Sequence, residues 1–426
     1  MPKKYLLINP PRYEVVPEYF NVDIVAQHTY LPAALLRMGS YFKSLGDKVS
    51  LINCFPTKPG LVVPFYMIGK RRCGNFKDKE VFSPLYHFGI TYEDFTKKLM
   101  LEEIPDEIYV TSFFTYQWEA VHQIIRICKE VFPTTRVTLG GIYPTLSPRH
   151  AETSLADAVY SGEFPVSNIC RLDLDLLGDV PSHIVLKTSR GCPGRCSYCA
   201  VSFLEGSKMR YRSPVDVVEE IEEKIKNFNI REIIFWESNI LLNSKEHLEP
   251  LLDLIIKKGL KLSLKFPEGF NPEFLTHELL VKMKLAGVVL LALSLETSSE
   301  ALATERFRSV HKLASFREKA KIIKKLNIDC VGFVMAGMPG QDFGSVKKTV
   351  DDVLNAGIIP LIMPFTPIPG TKEYEDCFES IAEKGLEDLH PYLWPCVDDS
   401  VLYDNLCRLH ARCLRMHDQR PERTMG

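Results

Sequence analysis

Along the first 163 residues, short apolar runs alternate with longer stretches whose apolar positions recur every three to four residues. The runs at 5–8, 49–52, 108–113, 137–139 and 158–160 have the length and side chains of buried strands. Between the first two, a helical pattern over 31–45 places Leu31, Leu35, Met38 and Phe42 on one face and stops at Gly46. A second helical pattern spans 118–131 and is closed by Pro133. This alternation predicts an α/β, Rossmann-like domain over 1–163, with a mostly parallel sheet covered by helices on both faces. The stretch 55–105 breaks the pattern with prolines, aromatics and the basic run Lys70-Arg71-Arg72, and is expected to be an insertion that faces substrate.

An Asp/Leu-rich linker is predicted over 164–183, closed by Pro181. Strand–helix alternation then resumes, with strands expected at 184–186, 230–236, 261–266, 288–295, 330–335 and 360–365. Ser213-Pro214 reads as an N-cap followed by proline in the first helical position, and Ala286-Gly287 as a helix stop. Six such units predict a parallel α/β domain over 184–371, which the family resemblance given below implies to be a partial (β/α)6 barrel, followed by a helical C-terminal region over 372–426. Parallel barrels carry their chemistry at the carboxyl ends of strands. Those ends here hold Glu237, Ser294, Glu296, the turn Gly337-Met338-Pro339-Gly340 and the run PIPGT at 367–371.

Composition adds exclusions. The chain is 46% apolar and 25% charged, with a net charge of −2, so no overall field draws it to nucleic acid or an anionic membrane. No apolar run has the length of a membrane span. The N-terminal apolar run is broken by Asn9, Pro10 and Pro11, too early for a secretory signal. Twelve cysteines without a signal fit a reducing cytoplasm rather than a disulfide framework.

Three of those cysteines, Cys192, Cys196 and Cys199, are spaced four and three residues apart in KTSRGCPGRCSYCA. Three thiolates on one loop leave a [4Fe–4S] cube one protein ligand short, so that one iron stays open to a small molecule. Structural zinc is the lesser reading, because it wants four ligands and the other nine cysteines include no second tight pair. Cys407, His410 and Cys413 share one helical face near the C-terminus, which suits packing or a second metal. Lys208, Arg210, Tyr211 and Arg212 follow the cysteine loop; a contact to an anionic ligand explains them better than RNA binding does.

The cysteine segment resembles the cluster loop of the radical S-adenosylmethionine (SAM) superfamily, including Tyr198 as the aromatic residue before the third cysteine. The resemblance implies that the open iron binds SAM and that its reductive cleavage yields a radical able to remove hydrogen from inert carbon. It further implies SAM contacts from Tyr198, Arg210, Glu237, Ser294, Glu296, Gly337 and Pro339. The first domain resembles the cobalamin-binding domain that precedes the radical domain in many members. That likeness rests on INPPR (8–12), LPAALLRMGSYFKSLGDKVSLINC (31–54) and VTLGGIYPTLSPRHAETSLADAVYSGE (137–163). It implies cobalamin contacts from Pro10, Pro11, Gly140, Gly141, Pro144, Thr145, Gly162 and Glu163. The chain has no D-x-H-x-x-G motif, so no axial histidine is evident, although His122 and His150 are near in sequence. A domain that keeps the fold without the ligand stays open.

The resemblance therefore implies a cytoplasmic, cobalamin-dependent radical SAM methyltransferase acting on an unactivated carbon, with an external low-potential electron donor. Its substrate would be a peptidyl residue, as in a protein such as methyl-coenzyme M reductase, or a small molecule. A cobalamin-free radical enzyme that cyclises or rearranges a metabolite is the alternative. No nucleic-acid or membrane partner is expected, and the catalytic side chains and substrate recognition are not legible. Substrate choice is expected to lie in 55–105 and the C-terminal region.

Overall fold

The computed structural model describes residues 2–23, 31–58, 61–73, 76, 78–165, 170–307 and 312–418. The C-terminal tail from 419 onward lies outside the described residues.

The first domain is built on five parallel strands: β1 (Lys4–Asn9), β3 (Lys48–Asn53), β6 (Glu107–Ser112), β7 (Arg136–Gly141) and β8 (Ala158–Val159). Their spatial order is β3-β1-β6-β7-β8. Side chains alternate across the pleat. Leu6 and Ile8 therefore join Ile108, Val110, Val137 and Leu139 in one core, while Leu7 joins Leu35, Met38 and Phe42 in the opposite one. Helix α1 (Ala33–Ser44) covers the second face, and α2 (Tyr92–Met100) with α3 (Trp118–Val131) covers the first.

The expected insertion needs correcting at its C-terminal end. Helix α2 is the crossover that returns the chain to β6; Thr91 caps it by accepting from the Asp94 N–H at 3.0 Å. Phe95 and Leu99 are fully buried. Two apolar residues four apart on a nine-residue helix are too weak a period to read. The true excursion is a three-stranded antiparallel sheet, β2 (Arg12–Val15), β5 (Val81–Phe88) and β4 (Phe65–Cys73), in that spatial order. It reaches the C-terminal region through Lys79–Asp404 at 2.8 Å and Phe76 against Tyr403.

The second domain holds six parallel strands in chain order: β9 (His183–Leu186), β12 (Glu232–Phe235), β13 (Ser263–Phe270), β14 (Val288–Glu296), β15 (Asp329–Ala336) and β16 (Ile359–Pro364). Helices α4 (Pro214–Phe228), α5 (Leu248–Lys257), α6 (His277–Leu285), α7 (Lys312–Lys325) and α8 (Phe343–Asn355) connect them. This is the predicted partial barrel. Leu291, Leu293 and Leu295 of β14 point to the helices and are buried; Ala292, Ser294 and Glu296 alternate with them on the barrel side.

The supposed linker is also corrected. Leu172, Leu174 and Leu177 are buried in the barrel core, and the Leu172 N–H donates to Glu220 at 2.8 Å. Alternating Asp and Leu wets one face and buries the other. In the C-terminal region, α9 (Ser400–Asp418) packs on β16 and α8. His410 sits fully enclosed among Tyr19, Phe20, Tyr392 and Trp394, and burial pushes its pKa down to about 3. Among the described residues no helix is long and apolar enough to cross a membrane.

Candidate active site

The cysteine loop leaves the barrel after β9 and is pinched at its base by a two-residue hairpin, β10 (Ser189–Arg190) against β11 (Arg210–Tyr211). Gly191 takes φ +89, and a Cβ there would collide with the Lys208 carbonyl, so only glycine lets the strands close. The Cys192 N–H donates to the Gly206 carbonyl at 3.1 Å, and the Cys199 N–H to the Cys196 carbonyl at 3.1 Å. The Cys192 sulfur accepts from the Gly194 N–H and from the Asn239 amide, each at 3.4 Å. From outside, the Glu373 N–H donates to the Ser197 carbonyl at 3.1 Å and the Ser197 hydroxyl to the Glu373 carboxylate at 2.6 Å. Glu373 is itself paired with Arg306 and follows the PIPGT run, so the sixth strand's motif braces the cysteine loop.

Burial raises the thiols of Cys196 and Cys199, the latter to about 11, and the neighbouring thiols add to it. Thiolates here want a cation beside them. Among the described residues no three His, Cys, Asp or Glu side chains converge as one metal ion requires.

Glu237 is the clearest correction. It is 2% exposed, and its carboxylate accepts from the Thr188 and Ser189 N–H groups at 2.5 and 3.0 Å and from their hydroxyls at 2.8 and 2.6 Å. Four donors fill the acceptor sites of one carboxylate, leaving nothing for a SAM ammonium. Glu237 instead fixes the backbone that enters the cysteine loop. Arg210 is also reassigned: it donates to Glu163 at 2.7 Å and to the Glu205 carbonyl, while Arg190 holds the other Glu163 oxygen at 2.8 Å. The expected SAM contact and the expected cobalamin contact hold each other across the domain boundary. Arg212 is 5% exposed, paired with Asp216 at 2.5 Å and Glu220 at 2.7 Å, and Glu220 faces Arg37 of the first domain at 3.7 Å.

Other expected residues do line the barrel mouth. Glu296 is 7% exposed and takes φ +66, an uncommon conformation for a non-glycine residue that marks stored strain. Burial raises its pKa, while Lys312 and the Ser294 hydroxyl act the other way. Tyr198 lies beside Glu296, Cys196 and Cys199. Gly337 takes φ +82 because a Cβ would meet the Trp394 ring at 2.8 Å; it serves packing. The turn that carries Pro339 is fixed by Gln341, which accepts from the Met338 N–H at 3.2 Å and donates to the Met335 carbonyl at 3.1 Å. Asn239, Gln341 and Glu373 were not read from sequence, and only their place beside motif residues could have flagged them.

At the first domain's sheet edge, Gly141 is demanded by the fold: at φ +110 its Cβ would collide with the Ser112 carbonyl. A Cβ on Gly162 would meet open space and one on Gly140 only Tyr160 at 4.0 Å, and the Gly162 N–H donates to the Thr145 hydroxyl at 2.9 Å. The Ser161 hydroxyl donates to the Pro144 carbonyl at 2.9 Å, so the two motif segments form one wall. That open wall fits a flat ligand laid on the strand ends. Pro10 and Pro11 are both buried, Pro11 beneath Gly89. His122 and His150 flank Tyr143, whose hydroxyl meets them at 3.0 and 2.6 Å, with Trp118 edge-on to both.

Comparison with known proteins agrees with this geometry. Residues 186–353 match the Radical SAM superfamily. Cytidylyl-2-hydroxyethylphosphonate methyltransferase of Streptomyces wedmorensis is 26% identical over 45% of this chain, which spans 37% of that protein's length. The methyltransferase TsrM of Kitasatospora setae, solved with cobalamin and a [4Fe–4S] cluster bound, superposes at TM-score 0.64 with 15% identity, covering 90% of this chain and 76% of its own. OxsB, a cobalamin-dependent SAM radical enzyme solved with aqua-cobalamin and SAM, superposes at TM-score 0.59 with 16% identity, covering 99% of this chain and 63% of its own. At these identities the two structures speak for the shared two-domain fold. With the three-cysteine loop at the mouth of a six-stranded parallel barrel, the match over 186–353 marks this part of the chain as a radical SAM domain.

Proposed function

We propose that the chain is a cobalamin-dependent radical SAM methyltransferase that methylates an unactivated carbon. The observation that carries this reading is the three-cysteine loop of the barrel facing the open, glycine-lined edge of a doubly wound sheet. Cys192, Cys196 and Cys199 would hold a [4Fe–4S] cluster; Tyr198, Ser294, Glu296 and the turn at Pro339 would surround SAM; Gly140, Thr145 and Gly162 would carry cobalamin. When bound, these groups supply a reductively generated carbon radical and a transferable methyl group.

The chain's own residues then do the positioning. Glu237 and the β10–β11 hairpin hold the cysteine loop in register, and Glu373 braces it from the opposite side. Phe113, just beyond β6, meets Trp236 of the barrel edge-on at 6.1 Å, so the two domains touch beside the strand ends. Hydrogen removal by a radical needs no side-chain base. Substrate would be a peptidyl residue, such as one in methyl-coenzyme M reductase, or a small metabolite, with electrons from an external low-potential donor. The commitment of His122 and His150 to Tyr143 favours cobalamin held without a histidine; it equally suits a cobalamin-free radical enzyme.

The test is anaerobic reconstitution with iron, sulfide and hydroxocobalamin, followed by metal analysis and an absorption spectrum after gel filtration. About four irons and one cobalt per chain are expected. Four irons with no retained cobalt would move the assignment to the cobalamin-free enzyme.

A further inference from the structure

Three consecutive residues beyond the end of β12 hold the cysteine loop, each at a different level. Glu237 fixes its entry through Thr188 and Ser189. The Ser238 hydroxyl donates to Glu205 at 3.0 Å and accepts from Lys187 at 3.0 Å, and Glu205 accepts from the Gly191 N–H at 3.1 Å. Asn239 reaches furthest in: its side-chain amide donates to the Cys192 sulfur at 3.4 Å. The same sulfur accepts from the Gly194 N–H at 3.4 Å. A Cβ on Gly194 would stand 3.1 Å from that sulfur, so a side chain there would crowd the approach of the loop backbone.

Asn239 is not a loose surface amide. On its N-terminal side, Glu237 and Ser238 are committed to the bonds just given. On its C-terminal side, Ile240 and Leu241 are buried in the barrel core, and the Leu242 N–H donates to the Asn239 carbonyl at 3.3 Å. A donor fixed from both sides loses little freedom when it bonds. Its nitrogen, not its oxygen, belongs against the sulfur, because the oxygen would set acceptor against acceptor. A neutral thiol accepts only weakly. Two N–H groups converging on one sulfur suit a thiolate, the form that ligates metal, and so fit a cluster at this loop.

Hydrogen bonds to the ligand sulfurs are among the factors that set the potential of an iron–sulfur cluster. An N–H at the sulfur offsets negative charge there, and it does so most strongly once an extra electron has raised that charge. We propose that Asn239 is a positioning residue that tunes the cluster: its amide raises the reduction potential and so eases the delivery of one electron by the external low-potential donor. No bond is made or broken and no proton moves; Asn239 shifts only the equilibrium between the oxidised and one-electron-reduced forms. The proposal rests on the cluster of the proposed function and goes beyond it by naming the side chain that sets its potential.

The experiment is potentiometric titration of the reconstituted chain with dithionite, without SAM, read by electron paramagnetic resonance of the reduced cluster. Wild type, N239L, N239Q and N239D are compared at equal iron content. N239L, close in size but without a donor, should lower the midpoint by about 59 mV, a tenfold change in the one-electron equilibrium. N239D, which sets a negative charge beside the sulfur, should lower it further. N239Q, with the amide on a longer stem, should recover part of the shift. In heavy water, the reduced wild-type cluster should show a hyperfine-coupled exchangeable deuteron that N239L lacks, because the contact is direct.

An N239L midpoint equal to or above that of wild type overturns the proposal. So does an N239Q midpoint no closer to wild type than that of N239L, or a lowered N239L midpoint with every deuteron coupling kept; either would leave Asn239 a structural support. Should N239L fail to assemble a cluster, N239D decides, and a midpoint at or above wild type overturns the proposal. A wild-type preparation that assembles no iron–sulfur cluster overturns the reading beneath it, whereas a wild-type cluster with an unmoved N239L midpoint overturns the role of Asn239 alone.

Discussion

The two sheets present their carboxyl edges to the same cleft, yet they are built from different materials. The first domain's edge is made by backbone: Gly141 pressed on Ser112, Gly162 tied to Thr145, and two phenylalanines left standing in the cleft. The barrel mouth is made by buried charge: Glu237 with four donors, Glu296 at positive φ, Lys187 between Glu205 and Ser238. A backbone-built edge can take a large flat ligand without making specific bonds to it. A charge-built mouth can hold a cluster loop and a polar cofactor in one geometry. The contrast teaches that similar motif glycines do unlike work, some serving the fold and some leaving room.

The sharpest break of that contrast is Cys196→Ala. It should reduce iron content and abolish SAM cleavage, at least about a thousandfold below wild type, without moving the first domain. Measurement of iron and of 5′-deoxyadenosine reads both. Arg212→Ala comes next. It strands Glu220, which is fully buried between the domains, and should lower unfolding free energy by about 3–5 kcal/mol in denaturant titration. Gly141→Ala should cost about 1–3 kcal/mol through strain and collision, whereas Gly140→Ala, whose Cβ would make only ordinary contact with Tyr160, should stay within about 0.5 kcal/mol of wild type. If cobalamin lies on that edge, Gly140→Ala should still weaken corrinoid retention on gel filtration.

His410 gives a pH test remote from both edges. Its folded pKa of about 3 is below the ordinary value, so the native state binds fewer protons than the unfolded chain. The stability this contributes is complete above about pH 6.5 and is lost as pH falls toward 3, at up to about 1.4 kcal/mol per pH unit. His410→Gln should flatten the acid side of the melting-temperature profile, and an unchanged slope would count against this account. His122, pushed down to about 4, adds loss in the same direction. The smallest effect is expected from Arg210→Ala. Arg210 is exposed, and its pair with Glu163 should be worth under about 1 kcal/mol.

Legibility followed the range of the forces involved. Strand–helix alternation in both domains is a local pattern, so five strands of the first sheet and all six of the barrel were readable within a few residues. Helix α2 was not, because its burial rests on Phe95 and Leu99 alone, and β2 was hidden behind Pro10-Pro11. The linker's Asp/Leu alternation was visible, but which side found a core was not. At the site, the cysteine spacing and the strand-end carboxylates stood out as residue types. Their roles did not, since Glu237 is saturated by Thr188 and Ser189 almost fifty positions away.

The sequence by itself determined the order of elements, the two sheets and the loop that presents three thiols, because periodicity, glycine stops and cysteine spacing act over a few residues. Only the tertiary structure decided which acids are spent on the fold and which face the cleft. It also decided which glycines are compelled, and that His122 and His150 belong to Tyr143. Hydrogen-bond saturation and burial are sums over neighbours that the chain brings together from far apart, and they settle whether a polar side chain is structure or site.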